Sequence, residues 1–528
     1  MIFRSQLPDL AIPDVSLPAF VLGRAERFGD KPALIEGPSG RVVSYRQLAA
    51  GIRACAAGLA ARGFAKGDVL GIYSANVPEY AMAFYGAGLL GGVCTTSNPV
   101  STAPELAKQL TDARARFLLT QGPVLDKARE AARLAGVETV LTFDGAPGTV
   151  PFDALLAAGG APPAVAIDPA RDVVALPYSS GTTGLPKGVM LTHRNLVANL
   201  CQIEAAHWYA GVREDDVVIG VMPFFHIYGL SVILGNGLAK GATIVTMPRF
   251  ELEPFLEALQ RYGVTWLYVV PPIVLQLAKH PAVERYDLSR VRMLFSAAAP
   301  LGEALEREAT TRLRCGSLQG YGMTEASPVT HLCSDDPKAH RPGSVGPLAP
   351  ATEMKIVDVA SGRPLGVDEP GELWLRGPQF MQGYFNQPRA TAEALDAEGW
   401  YHSGDIGKVD AEGYVYIVDR LKELIKYKGY QVAPAELEAL LVTHPAVSDA
   451  AVIPSPDVEA GEVPKAFIVP RDPGSAPSPE QLMAWVAERV APYKRIRRLE
   501  YLSQIPKSPS GKILRRLLVE QERERQAG

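Results

Sequence analysis

The sequence predicts an α/β protein. A large N-terminal domain of layered, mainly parallel sheets carries a small β subdomain, and a small α+β C-terminal domain follows it. Three observations lead there. The chain has 528 residues, more than one ordinary core holds, and 47% of them are apolar. Between residues 172 and 298, short runs rich in Val, Ile and Leu alternate with helical patterns, as in parallel sheets covered on both faces. After residue 352 the texture changes to short alternating strands, and it changes again after Asp419-Arg420.

Taken in order, residues 45–140 show a first strand–helix alternation. Residues 143–170 are loaded with Ala, Gly and Pro and read as a loop-rich excursion. Strands are expected at 172–178 and 188–191, with a helical pattern only after Thr192, at 195–209. Further strands fall at 217–222, 243–247, 264–270 and 291–296, and helices at 251–262 and 301–313. The short alternating strands are 353–359, 372–376 and 414–418. Beyond Arg420 come a helix at 433–443, strands at 450–453 and 465–469, a loop at 470–477 and a helix at 478–490. Two domains are expected, 1–419 and 420–528.

Bulk composition excludes several classes. A net charge of −4 gives no overall pull toward nucleic acid or membrane. The five cysteines (Cys55, Cys94, Cys201, Cys315 and Cys333) form no CxxC pair, which argues for a reducing compartment and against a disulfide frame or zinc site. The eight histidines show no metal-ligand spacing. The first twenty residues carry acids and prolines in place of a basic, then apolar, secretory pattern. The most apolar stretch, 81–93, is too short to span a bilayer. A cytoplasmic protein with no stable membrane association and no nucleic-acid partner is expected.

The chemistry concentrates in Tyr178-Ser179-Ser180-Gly181-Thr182-Thr183-Gly184-Leu185-Pro186-Lys187-Gly188. Glycines bring backbone N–H groups close to a ligand, hydroxyls add short donors, and Lys187 adds a point charge. Such a loop wraps a polyphosphate. It is not a Walker A loop, which needs Ser or Thr after Gly-Lys and then a helix; here Pro186 precedes Lys187, Gly188 follows it, and the loop joins two strands.

Four more motifs follow in order. They are Gln319-Gly320-Tyr321-Gly322-Met323-Thr324-Glu325, Tyr401-His402-Ser403-Gly404-Asp405, the run from Asp419 to Gly429, and Pro506-Lys507-Ser508-Pro509-Ser510-Gly511-Lys512. Together the five resemble the adenylate-forming superfamily of acyl-CoA synthetases, luciferases and peptide-synthetase adenylation domains, over nearly the whole chain. The stretch from Met222 to Leu230 and the run from Leu424 to Leu441 look like 4-coumarate–CoA and cinnamate–CoA ligases.

The resemblance implies an ATP-dependent acid–CoA ligase that uses ATP, Mg²⁺ and coenzyme A on a small carboxylic acid. It implies that Ser179, Ser180, Gly181, Thr182, Thr183 and Lys187 hold the β- and γ-phosphates. Thr324 would donate to the α-phosphate and Glu325 would help hold Mg²⁺. Gln319, Gly320, Tyr321 and Ala298 would border the nucleotide, and Asp405, supported by Arg420, would accept from the ribose hydroxyls. Lys512 would bridge the acid's carboxylate and the α-phosphate. The C-terminal domain is expected to be mobile, rotating about Asp419 between two closed states. Lys428 and Gly429 would then meet CoA, Lys422 and Lys426 would face the nucleotide or acyl intermediate, and Arg249 would meet the CoA nucleotide end.

By the same resemblance, neutral His226 orients the acyl carboxylate. Tyr228, Val232, Ala297, Ala299, Pro328 and Val329 line the acyl pocket. Val232 departs from the serine that many plant coumarate ligases carry there, and an apolar pocket neither demands nor rejects one hydroxyl strongly. Cinnamate and 4-coumarate are both expected as substrates. Medium-chain fatty acids, a luciferase-like reaction and a non-catalytic acyl-nucleotide binding protein are the alternatives.

Overall fold

The computed structural model describes residues 1–8, 10–179, 186–206, 211–334, 336, 339, 341–428, 430–457, 459–508 and 511–527. Four sheets organise them. One has eight strands in the order Val329–Leu332, Gly316–Gly322, Met293–Ser296, Trp266–Val269, Val217–Gly220, Thr243–Thr246, Pro32–Glu36 and Val42–Ser44. Its inner neighbours run parallel and only its two edge strands are antiparallel. The central strand Trp266–Val269 is wholly buried, which is why it reads as an unbroken apolar run. Helices Leu252–Tyr262 and Glu303–Leu313 fall where the alternation puts them, and Gly263 ends the first in the left-handed conformation.

A second sheet runs Tyr178–Ser179, Lys187–Thr192, Val173–Ala175, Val93–Ser97, Val69–Tyr73, Ala115–Thr120, Thr139–Thr142 and Val150–Pro151, with Gly383–Tyr384 added beside Lys187–Thr192. The expected strand 172–178 is split in two, and Pro177, which has no N–H to donate, sits in the break. The helix after Thr192 is His193–Ala206; the rest of the predicted span, 207–210, lies outside the described residues.

The excursion 143–170 is less irregular than its composition implies. It contains the strand Val150–Pro151 and the helix Phe152–Leu156, whose Phe152 and Leu155 are buried. A Cβ at Gly58 would lie 2.3 Å from the Leu155 carbonyl oxygen, so only glycine lets the helix Tyr45–Ala61 accept this neighbour.

The third sheet is antiparallel throughout: Phe3–Arg4, Glu353–Val357, Gly371–Arg376, Tyr401–Val409 and Val415–Arg420. The N-terminal strand was not expected there. The fourth sheet, Tyr430–Val432, Ile425–Tyr427, Gly461–Pro470 and Val447–Asp457 with Arg498–Tyr501, has a core of its own around Leu437, Val452, Ile468 and Val486. Its long hairpin extends well beyond the predicted strands 450–453 and 465–469.

Among the described residues no helix is long and apolar enough to cross a membrane. All five cysteines are free. Burial pushes the thiols of Cys55, Cys315 and Cys333 up to about 12 and raises those of Cys94 and Cys201.

Candidate active site

Tyr178 pairs with Gly188 and Ser179 with Lys187, so the hydroxyl-rich loop closes an antiparallel pair of strands and the next helix starts at His193. Ser180, Gly181, Thr182 and Thr183 lie outside the described residues. At the loop's base, the Ser179 Oγ is buried with no hydrogen-bond partner among the described residues, and the Tyr178 hydroxyl donates to Asp112 at 2.6 Å. The Lys187 ammonium sits 4.7 Å from the centre of the Tyr384 ring.

Beside this loop, the turn Thr324–Ala326 presents a half-buried Thr324 and a buried Glu325. Glu325 Oε1 accepts from the Tyr384 hydroxyl at 2.9 Å. Among the described residues no group of three or more His, Cys, Asp or Glu side chains could hold a metal ion. One carboxylate next to the hydroxyl-rich loop still fits Mg²⁺, which keeps most of its shell as water and substrate oxygens.

The strands Tyr401–Val409 and Val415–Arg420 set Asp405 opposite Arg420. Asp405 Oδ2 accepts from the Tyr321 hydroxyl at 2.5 Å, and Oδ1 lies 3.3 Å from Arg420 Nε. Burial raises the Asp405 carboxyl above its usual range, against the opposing pull of Arg420. Ala298 has a positive φ of 71°, a sparsely populated backbone state for alanine, at the end of the strand Met293–Ser296. The Gln319 side chain is buried, donating to the Leu301 carbonyl at 3.2 Å and to Glu306 at 2.9 Å.

His226 Nδ1 accepts the Tyr228 N–H at 3.2 Å, which puts the ring proton on Nε2. Burial, and then the charge of Lys512, push this imidazole down to about 3, so it is neutral as expected. Tyr228 opens an eight-residue π-helix, Tyr228–Gly235, in which Val232 is also buried. The Tyr228 hydroxyl lies 3.4 Å from the carbonyls of Val269 and Phe295, and its ring meets Tyr268 edge-on. Pro328 and Val329 are buried, while Ala297 and Ala299 are half-buried.

Lys512 arrives from the chain's end. Ser508 N–H donates to the Lys512 carbonyl and Lys512 N–H donates back to Ser508 Oγ, at 2.8 and 3.1 Å, closing the loop; Pro509 and Ser510 lie outside the described residues. Gly511 rests on the main body, where a Cβ would sit 3.0 Å from Val270 and 3.2 Å from Pro272. Burial and then Arg420 push the Lys512 ammonium down to about 8, while Asp405, Glu325 and Glu423 pull it up. The tail's cation therefore shares one electrostatic neighbourhood with His226, Glu325, Asp405 and Arg420.

Other predicted residues stand apart from this group. Arg249 is 78% exposed and pairs with Glu251. Lys422, Lys426 and Lys428 are exposed, and Gly429 lies outside the described residues. Sequence reasoning missed Tyr384, which belongs to none of the five motifs. It assigned no part to Arg515 either. Arg515 is a mostly buried anchor, paired with Glu423 and, at 2.6 Å, with Glu438.

Comparison with known proteins gives two family matches along the chain. A family model described as AMP-binding enzyme matches residues 22–385, and one described as AMP-binding enzyme C-terminal domain matches 436–512. The chain belongs to the AMP-binding enzyme family. Within that family it is similar to 4-coumarate–CoA ligase 5 of Oryza sativa subsp. japonica, at 47% identity over 98% of this chain and 96% of that protein. It is 45% identical to 4-coumarate–CoA ligase 2 of Petroselinum crispum, over the same shares of the two chains. Among solved structures, the anthranilate CoA ligase AuaEII in complex with anthranoyl-AMP superposes with a TM-score of 0.89 at 27% identity, covering 98% of this chain and 99% of that one. ATP-bound MatB from Rhodopseudomonas palustris gives 0.86 at 28% identity, over 96% and 99%. This AMP-binding enzyme is an ATP-dependent, AMP-forming acid–thiol ligase of the 4-coumarate–CoA ligase type.

Proposed function

We propose that this ligase adenylates a phenylpropenoic acid of the cinnamate or 4-coumarate kind and passes the acyl group to the thiol of coenzyme A. One observation carries the reading: the Lys512 ammonium shares an electrostatic neighbourhood with His226, whose ring accepts the Tyr228 N–H, and with the acids Glu325 and Asp405. A carboxylate oxygen attacks the α-phosphorus of ATP, and pyrophosphate leaves with the bridging electron pair. Two anions must meet for this, and Lys512 bridges them where charge builds up. Thr324 donates to the α-phosphate. Lys187 and the hydroxyls from Ser179 to Thr183 hold the outer phosphates, and Asp405 holds the ribose with Arg420 behind it. Glu325 holds Mg²⁺, which offsets charge on the triphosphate.

In the second half-reaction the CoA sulfur attacks the acyl carbonyl and AMP leaves. For this step two units, 1–419 and 420–528, turn against each other about Asp419. Lys428 and Gly429 then meet CoA, with Arg249 at its nucleotide end and Lys422 and Lys426 toward the intermediate. Asp419 is suited to a pivot, since its two oxygens accept from the Arg420 and Ala435 N–H groups at 2.7 and 2.9 Å.

The acid is read from Tyr228, Val232, Ala297, Ala299, Pro328 and Val329, a wall of apolar and small groups with one phenol. The test is a substrate panel that follows both pyrophosphate release and thioester formation. Cinnamate and 4-coumarate are expected to support both steps at similar kcat/KM, octanoate less well, and phenylalanine neither. Preference for octanoate would replace the aromatic acid by a fatty acid. If no carboxylic acid provokes ATP cleavage, the reading fails entirely.

The Lys512 ammonium gives a pH prediction. Its pKa is lowered, so the charge is lost near pH 8 and not near 10.5. With ATP and acid below saturation, kcat/KM for ATP–pyrophosphate exchange is expected to be flat below pH 8 and to fall about tenfold per unit above it. A profile flat to pH 10 would contradict this.

A further inference from the structure

We propose that Tyr384 is a positioning residue that spaces the two ATP-handling side chains, its ring seating the Lys187 ammonium and its hydroxyl seating the Glu325 carboxylate. The inference rests on the roles just given to Lys187 and Glu325. Three observations support it. The Lys187 ammonium lies 4.7 Å from the ring centre, within cation–π range. The hydroxyl donates to Glu325 Oε1 at 2.9 Å, a bond to a charged acceptor. The residue itself is fixed, because it is only 6% exposed and its N–H donates to Thr391 Oγ1 at 2.9 Å.

The backbone explains the reach. The strand Gly383–Tyr384 adds to Lys187–Thr192 with Tyr384 opposite Val189, two residues beyond Lys187. One ring therefore spans from the phosphate-loop strand to the turn that carries Glu325. A tyrosine at this point supplies both contacts with one rigid group, whereas phenylalanine supplies only the first and leucine neither.

The test measures ATP binding calorimetrically, without the acid substrate, once in EDTA and once with Mn²⁺ as the probe for the divalent site. Tyr384→Phe is expected to bind ATP in EDTA within about twofold of the parent and to weaken about threefold to tenfold with Mn²⁺ present, the worth of one hydrogen bond. Tyr384→Leu is expected to weaken binding in EDTA as well, by about threefold or more, since the ring is gone. Should the leucine variant fail to fold, the phenylalanine variant decides alone. Equal weakening of Tyr384→Phe in both conditions, or none in either, overturns the assignment. Glu325→Gln separates the two levels of inference. If it loses the Mn²⁺ effect while Tyr384→Phe keeps it, the role of Tyr384 falls and the site reading stands. If Glu325→Gln responds to Mn²⁺ like the parent, Glu325 does not hold the metal and the inference falls with it.

Discussion

Lys512→Ala is expected to slow acyl-adenylate formation by about a thousandfold while leaving ATP affinity within a few-fold of the parent. The size follows from electrostatics: two unit charges about 4 Å apart are worth about 4 kcal/mol at the effective dielectric of a protein cleft. The selectivity follows from timing. The acid and the α-phosphate repel each other most as they approach, so the ammonium matters more there than in the ATP complex. Lys512 also sits on a short loop whose neighbours, Gly511 on Val270 and Arg515 on Glu438, remain when its side chain is cut back. The fold should survive. Pyrophosphate exchange and ATP binding together check this. A second measurement, thioester formation from pre-made acyl-adenylate and CoA, should retain most of its rate. Pyrophosphate release near the parental rate in Lys512→Ala would assign the bridging role elsewhere.

Asp405→Ala is expected to weaken ATP binding by about tenfold to a hundredfold, the range for losing hydrogen bonds to a charged acceptor. Asp405 is held by Tyr321 at 2.5 Å and by Arg420 at 3.3 Å, so its oxygens are fixed before any nucleotide arrives. The alanine variant also leaves the Tyr321 hydroxyl and Arg420 without this acceptor. Part of the loss therefore reports local disturbance and not the ribose. Comparing ATP with 2′-deoxy-ATP separates the two: the parent should discriminate between them, and Asp405→Ala should not. If the discrimination persists in the variant, the ribose hydroxyls are held by another group.

Much of the framework was legible because it depends on patterns within single segments. The buried strands at Val217–Gly220, Thr243–Thr246 and Trp266–Val269 are rich in β-branched and aromatic residues because both faces of their sheet are covered. The strand–loop–strand setting of the hydroxyl-rich turn followed from Pro186 and Gly188, and the helix beyond Thr192 from its own period. Contacts between distant segments left no such trace. Helix Phe152–Leu156 is too short to show a period, and the glycine that admits it lies about a hundred residues earlier, at Gly58. Tyr384 acquires its meaning only when the strand Gly383–Tyr384 joins Lys187–Thr192. Arg515 reads as one more basic residue in a basic tail until Glu423 and Glu438 are seen facing it. The π-helix Tyr228–Gly235 was hidden because its i to i+5 bonding follows no common apolar spacing.

An acyl-adenylate is an electrophile that does not distinguish one sulfur nucleophile from another, and the protein that makes it contains five of its own. None is presented as a thiolate: burial lifts Cys55, Cys315 and Cys333 to about 12 and raises Cys94 and Cys201 as well. Raised thiol pKa values and burial both work against self-acylation. The activated acid is left to the one sulfur that diffuses in.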